Sequence, residues 1–203
     1  GVDFSFYKHS TLQRRIIRQM VLSKHNRLSA YLEFLGKTPE EVEKLFNDLL
    51  INVTSFFRDP RAFQALKTKV FPRLVKAHSD DSPIRFWVCG CSTGEEAYSL
   101  AMSLVEFFDQ TRNHRPVQIF ASDISEKGVT RARVGIYPEN IVQDVSPERL
   151  RRFFTKVDGQ YQVAKSIRDM VIFARQNLIT DPPFSNLDMI TCRNVLIYLG
   201  AIL

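Results

Sequence analysis

Phe86-Trp87-Val88-Cys89-Gly90-Cys91-Ser92-Thr93-Gly94-Glu95-Glu96 is the stretch on which the reading of this chain turns. An apolar run ending at Cys89 feeds a turn of small residues. The turn opens into a helix whose apolar positions, Ala97, Leu100, Ala101, Leu104 and Val105, recur at three- and four-residue steps. Strand, small-residue turn and helix together make one βα unit. Glycines at 90 and 94 let a ligand approach the backbone at the turn, where parallel α/β sheets bind nucleosides.

Downstream, Val117–Ile124 reads as a second strand, Glu126–Val134 as a helix, and Val171–Phe173 and Leu187–Cys192 as further strands. Strands alternating with helices predict a parallel sheet covered on both faces. Upstream the period changes to that of helices. From Thr11, the residues Leu12, Ile16 and Met20, with Ile17 and Val21, recur at helical steps and leave Arg14, Arg15 and Arg18 toward another face. A short helix is expected over Ala30–Leu35. A third starts with Thr38 as N-cap, Pro39 at the first helical position and Glu41 closing a capping box, and its stripe is Val42, Leu45, Phe46, Leu49 and Leu50. A fourth is expected from Pro60 to about Ala77. The predicted fold is a small all-helical domain with a linker helix over 1–78, then a Rossmann-like α/β domain over 79–203.

The turn lacks both G-x-G-x-x-G and a Gly-Lys-Ser/Thr ending, which argues against a dinucleotide or a triphosphate. Glu95 and Glu96 at the helix start would repel phosphate and favour a cationic group. S-adenosylmethionine carries a protonated amine and no phosphate, so the charge pattern points to it. Asp123, in Phe120-Ala121-Ser122-Asp123-Ile124, stands at the end of the next strand, where a carboxylate can accept from both ribose hydroxyls. The alternative for Asp123 is to cap the following helix.

Composition narrows the classes further. The net charge is +6, and six basic residues against Asp3 alone fall within residues 1–27, so the excess is a local basic face suited to an acidic partner. No aromatic-interleaved basic patch or known motif accompanies it, which argues against a nucleic-acid binder, and no nucleic-acid partner is expected. No apolar run approaches the ~20 residues that cross a bilayer, so no membrane insertion is expected and a cytoplasmic location is. Cys89, Cys91 and Cys192 are read as reduced thiols, and with four scattered histidines they offer no metal-ligand spacing.

Five segments in order resemble the chemotaxis-receptor glutamate methyltransferases of the CheR type: Asn52–Asp59 (NVTSFFRD), Ser92–Ala101 (STGEEAYSLA), Ala121–Ile124 (ASDI), Gln176–Leu178 (QNL) and Cys192–Tyr198 (CRNVLIY). The resemblance implies methyl transfer from S-adenosylmethionine, leaving S-adenosylhomocysteine, to glutamates on the cytoplasmic helices of chemotaxis receptors. It implies that Asn52, Thr54 and Arg58 reach over the cofactor and that Glu96, rather than Glu95, holds its methionyl end. Asp123 would hold the ribose, and Asn177 and Leu178 the adenine edge. Gly90 would lie against the cofactor, and Arg193, Asn194 and Tyr198 would line the reaction centre, with Arg58 and Tyr198 expected to orient the substrate carboxylate. Arg14, Arg15 and Arg18 would dock the receptor.

Two departures from the family pattern stand out. The connection around Asp158-Gly159 has no glycine-rich insertion, so no tether to a receptor's C-terminal pentapeptide is expected. The chain also stops at Leu203 where the family's sheet continues, and the catalytic domain is expected to be incomplete. One rival is an amino-group (amide or nucleobase) methyltransferase, suggested by Asp181-Pro182-Pro183-Phe184, although that tetrapeptide precedes the strand it should follow. The other is a non-catalytic S-adenosylmethionine-binding regulatory module.

Overall fold

The computed structural model describes residues 2–50, 53–78 and 82–200. Contacts divide the chain into two units, residues 1–52 with 194–203, and residues 53–193.

In the first unit, α3 (Pro39–Leu49) packs against both α1 (His9–Leu22) and α2 (Leu28–Lys37). Pro39 begins α3 as expected, but the capping box does not form, because Thr38 makes no side-chain cap bond. Glu41 is buried instead, accepting from the Tyr31 hydroxyl at 3.3 Å and pairing with Lys44 at 3.5 Å. Burial, and then the Glu41 charge, push the Tyr31 hydroxyl up to about 12. The end of the chain returns to this unit. Lys8 N donates to Tyr198 O at 2.9 Å, Gly200 N donates to Phe6 O at 2.7 Å, and Tyr7 bridges Leu199 antiparallel.

The helical region expected over 1–78 is therefore divided. Its last part, α4 (Pro60–Ala65), a π-helical turn (Leu66–Val70) and α5 (Phe71–Ala77), belongs to the second unit. Phe63 and Phe71 are buried in that unit's core, where a buried apolar side chain contributes ~1.5–3 kcal/mol. Pro72, which has no N–H to continue an i→i−4 ladder, stands in the first turn of α5, two residues past the end of the π turn.

The second unit holds β1 (Ile84–Cys89), α6 (Glu95–Thr111), β2 (Val117–Asp123), α7 (Glu126–Val134), β3 (Ile136–Tyr137), α8 (Pro147–Phe153), β4 (Phe154–Val157), β5 (Gln160–Val163), α9 (Lys165–Arg168), β6 (Val171–Arg175) and β7 (Met189–Thr191). The main sheet has the order β6-β2-β1-β7 and every pairing is parallel, with Ile84 opposite Val117, Val171 opposite Ile119, and Phe86 opposite Met189. The four expected strands are thus the four sheet strands, with β7 shorter than its apolar run.

A second, antiparallel sheet, β3-β5-β4, adds to the expected architecture. Its hairpin turns at Asp158 and Gly159, whose φ values of 48° and 75° suit the two-residue turn that matches strand twist. Strand pleating divides the core by residue parity. Phe86 and Val88 face a large cluster with Leu100, Leu104 and Ile119, whereas Trp87, Cys89 and Phe120 face a smaller one.

Candidate cofactor site

The turn between β1 and α6 is built from left-handed residues: Gly90 at φ 66°, Ser92 at φ 52° and Gly94 at φ 97°. Gly94 has no alternative. A Cβ there would lie 2.9 Å from Ala132 Cβ, 3.1 Å from the Tyr137 hydroxyl and 3.2 Å from Phe173 Cζ. The turn is tied down by backbone bonds, Cys91 N to Ser122 O at 3.0 Å and Gly94 N to Cys91 O at 2.9 Å, and by the Tyr137 hydroxyl donating to Thr93 O at 2.6 Å.

Asp123 at the end of β2 braces the turn from the neighbouring strand. Its Oδ2 accepts from Ser92 N and its Oδ1 from Ser125 N, each at 2.8 Å. It does not cap α7; Ser125 does, accepting from Gly128 N. Burial pushes the Asp123 carboxyl up, opposed by the backbone N–H bonds from Ser125 and Ser92. Two donors leave the carboxylate with spare lone pairs for hydroxyls.

The two glutamates of the turn differ. Glu95 accepts from Thr93 Oγ1 at both oxygens, 2.9 and 2.7 Å, and is closed off. Glu96 is open to a partner, with Oε2 at 3.5 Å from Arg193 Nη1 and Oε1 buried without a hydrogen bond. Burial raises its pKa, and the Arg193 charge, the neighbouring Thr191 hydroxyl and the Arg58 charge oppose the shift. A buried acceptor left unpaired costs ~1–3 kcal/mol, which a cationic donor would remove. The protonated amine of S-adenosylmethionine is such a donor, so the residues present fit that cofactor.

Arg193 joins three segments. Its Nη2 donates to Arg58 O at 2.8 Å and lies 3.7 Å from Asp59 Oδ2, while its Nη1 faces Glu96. The Thr54–Asp59 segment is held locally too, with Phe57 N donating to Ser99 Oγ at 2.9 Å and Phe57 and Asp59 both left-handed. Thr54 is half-buried on it. The Arg58 guanidinium is exposed and donates to Val53 O at 3.0 Å; the ion pair of this segment is made by Asp59 with Arg193.

After β6, Asn177 closes its own loop, its Oδ1 accepting from Ile179 N and its N–H donating to Asp181 Oδ2. Leu178 packs on the Trp87 cluster. In the proline loop, Phe184 stacks on Phe120 at 4.6 Å and meets Trp87 edge-on at 5.4 Å, so the ring of Asp181-Pro182-Pro183-Phe184 is spent on the core.

Asn52 lies outside the described residues. Asn194 and Tyr198 pack with the helical unit. In that unit Arg14 is exposed and Arg18 is 58% exposed, but Arg15 is only 17% exposed and shares Asp48 with Arg18, at 3.4 and 3.1 Å. Arg15 is one residue, about 100° of helix, from Arg14, which turns it into the packed side. Among the described residues no His/Cys/Asp/Glu group could hold a metal ion, and no helix is long and apolar enough to cross a membrane.

A parallel sheet whose first turn carries a buried and a half-buried glutamate, braced by the half-buried Asp123, instead of phosphate-binding amides defines an S-adenosylmethionine-binding α/β domain. Comparison with known proteins agrees and goes further. Residues 52–201 match the CheR methyltransferase, SAM binding domain, and residues 1–50 match the CheR methyltransferase, all-alpha domain. The chain belongs to the CheR methyltransferase family, and S-adenosylmethionine is the cofactor of its catalytic-type domain.

It is 33% identical over 205 residues to a chemotaxis protein methyltransferase of Borreliella burgdorferi, covering 98% of this chain and 72% of that protein. It is 32% identical over 201 residues to one of Listeria monocytogenes, covering 99% and 74%. An uncharacterized 104.1 kDa protein of Rhodobacter capsulatus is 43% identical over 197 residues, covering 97% of this chain; the chain spans only 21% of that protein's length.

Proposed function

We propose that this chain methylates glutamate side chains on the cytoplasmic helices of chemotaxis receptors, forming methyl esters. The observation that carries the reading is the pair of half-buried carboxylates, Glu96 in the first turn of α6 with an unpartnered oxygen and Asp123 at the end of the adjacent strand β2. The relatives named as chemotaxis protein methyltransferases support a chemotaxis protein as the substrate.

Bound S-adenosylmethionine supplies an electrophilic methyl group. Glu96 holds the methionyl ammonium, Asp123 the ribose hydroxyls, and Asn177 and Leu178 the adenine. Gly90 allows close approach, and Asn52, Thr54, Arg193 and Asn194 complete the enclosure. A glutamate with a pKa near ~4.3 is already ionised at neutral pH, so no residue need act as a general base. Arg58 and Tyr198 instead orient the nucleophile. For this Arg58 exchanges Val53 O for the substrate carboxylate, an exposed hydrogen bond of modest net worth, ~0.5–1.5 kcal/mol. Alignment of this kind can contribute on the order of 7–11 kcal/mol. The basic face of α1, through Arg14 and Arg18, meets the acidic receptor helices. With no glycine-rich insertion at the hairpin, docking does not use a receptor's C-terminal pentapeptide, and the chain works in the cytoplasm.

The test is transfer of a tritiated methyl group to receptor-bearing membranes. Base-labile release of labelled methanol is expected; base-stable label would point to amine or amide methylation. No transfer alongside intact S-adenosylhomocysteine binding would point to a regulatory module. Tyr198→Phe should lower turnover and leave S-adenosylhomocysteine affinity within about threefold. A collapse of affinity would remove its assigned role.

A further inference from the structure

We propose that Cys89 and Cys192 are a redox modification site: a hydroperoxide converts them to a disulfide, and the oxidised chain binds its adenosine cofactor more weakly. The second half rests on the cofactor reading above.

The placement follows from strand register. Val88 is paired with Thr191 in the parallel β1–β7 ladder, so Cys89 and Cys192 are the next positions along the two neighbouring strands. Neighbouring strands lie ~4.7–4.9 Å apart, inside the ~4.4–6.8 Å Cα separation that a disulfide spans. Pleating sends both side chains to one face, the face of Trp87. Cys89 is buried in the Trp87–Phe120 cluster, and Cys192 packs against that cluster while remaining partly exposed. The two thiols are near enough to perturb each other's ionisation. The third thiol, Cys91, is buried in the opposite cluster and stands apart from this pair.

The chemistry assigns roles. Burial raises both thiols, but the interaction between them raises Cys89 and lowers Cys192, so Cys192 ionises first. The Cys192 thiolate attacks a peroxide oxygen, the O–O bond breaks, and the departing alkoxide takes a proton to become an alcohol. Cys89 sulfur then displaces the hydroxyl of the resulting sulfenic acid. The S–S bond forms, and water leaves with the Cys89 proton. Two thiols lose two electrons and the hydroperoxide gains them. Because neutral thiols dominate at pH 7, the first step is slow and accelerates as pH rises.

Both sulfurs adjoin the cofactor site. Cys89 precedes Gly90, whose positive φ starts the turn, and Cys192 precedes Arg193, which holds Glu96 and the Arg58 carbonyl. A bond between the two would draw these backbones together and shift the turn and the arginine at once.

The experiment exposes the purified chain to tert-butyl hydroperoxide, maps linkages by mass spectrometry, and measures S-adenosylhomocysteine affinity by calorimetry before and after dithiothreitol. A loss of two hydrogens mapped to Cys89–Cys192 is expected, with affinity falling about tenfold, as for one lost hydrogen bond to a charged group, and recovering on reduction. Cys192→Ser, at the more exposed position, and Cys89→Ala should each bind S-adenosylhomocysteine insensitively to the peroxide. Over-oxidation without the linkage overturns the proposal, and so does a mapped linkage that leaves affinity within twofold. A reduced chain that fails to bind S-adenosylhomocysteine would instead sink the cofactor reading, while the mass map would still decide the linkage.

Discussion

Replacing Gly94 with alanine tests whether packing, rather than flexibility, shapes the cofactor turn. At φ 97° an L-residue is strained by ~1–2 kcal/mol whatever its surroundings. The new methyl would also stand 2.9 Å from Ala132 Cβ and 3.1 Å from the Tyr137 hydroxyl, and overpacking of this kind costs ~1–3 kcal/mol. The sum is a destabilisation of ~2–5 kcal/mol. Gly159 is the internal control. It also has positive φ, 75°, but nothing lies within 4 Å of the place its new methyl would take, so Gly159→Ala should cost only the strain, ~1–2 kcal/mol.

The protein has one tryptophan, and Trp87 is buried in β1 beside the turn, so its fluorescence during urea denaturation reports on the unit in question. Calorimetry with S-adenosylhomocysteine should show weakened binding for Gly94→Ala and unchanged binding for Gly159→Ala. Equal stability losses in the two variants would refute the reasoning, because the close contacts at Gly94 would then contribute nothing.

Glu96→Gln should weaken S-adenosylhomocysteine binding about tenfold or more, since a charged hydrogen bond to the ligand amine is lost. Because the Glu96 pKa is raised from 4.5, wild-type affinity should begin to fall on acidification while the pH is still above 4.5, and the glutamine variant should be flat over that range. Glu106 is the opposite case: burial pushes it up, but hydrogen bonds from Arg149 and Lys67 outweigh burial and hold it below 4.5. Its folded-state pKa being depressed, its stabilisation is present above the unfolded value and is lost as pH falls through the folded one. Glu106→Gln should therefore lower stability at pH 7 by ~1–3 kcal/mol in urea titrations and have less effect in strong acid. Charge reversal at Arg14 and Arg18 should slow methylation of receptor membranes, with the wild-type rate more sensitive to salt than the variant's; equal salt slopes would discard α1 as the docking face.

Much of this is legible in the residue order because local chemistry dictates it. The apolar run into Gly90–Gly94 reads as a strand entering a sharp turn, whereas Asp123 could have faced that turn or capped the next helix, and the structure gives the cap to Ser125. Strand pairing then follows from a parallel sheet. The hairpin of β4 and β5 also carries a signal, Asp158-Gly159 between alternating segments, although a short connection without strands has the same signature. The capping box fails for a reason no local pattern contains: Glu41 is taken by Tyr31, ten residues away in sequence.

By itself the sequence determined the fold class, the cofactor's charge type and the family, since each depends on residue type at fixed short spacing. Tertiary structure alone decided that Glu96 keeps a free oxygen beside Arg193, that Arg15 faces Asp48, and that Cys89 meets Cys192. These depend on which distant backbone a side chain meets, and that is set by packing around the whole core, which no short window of sequence contains.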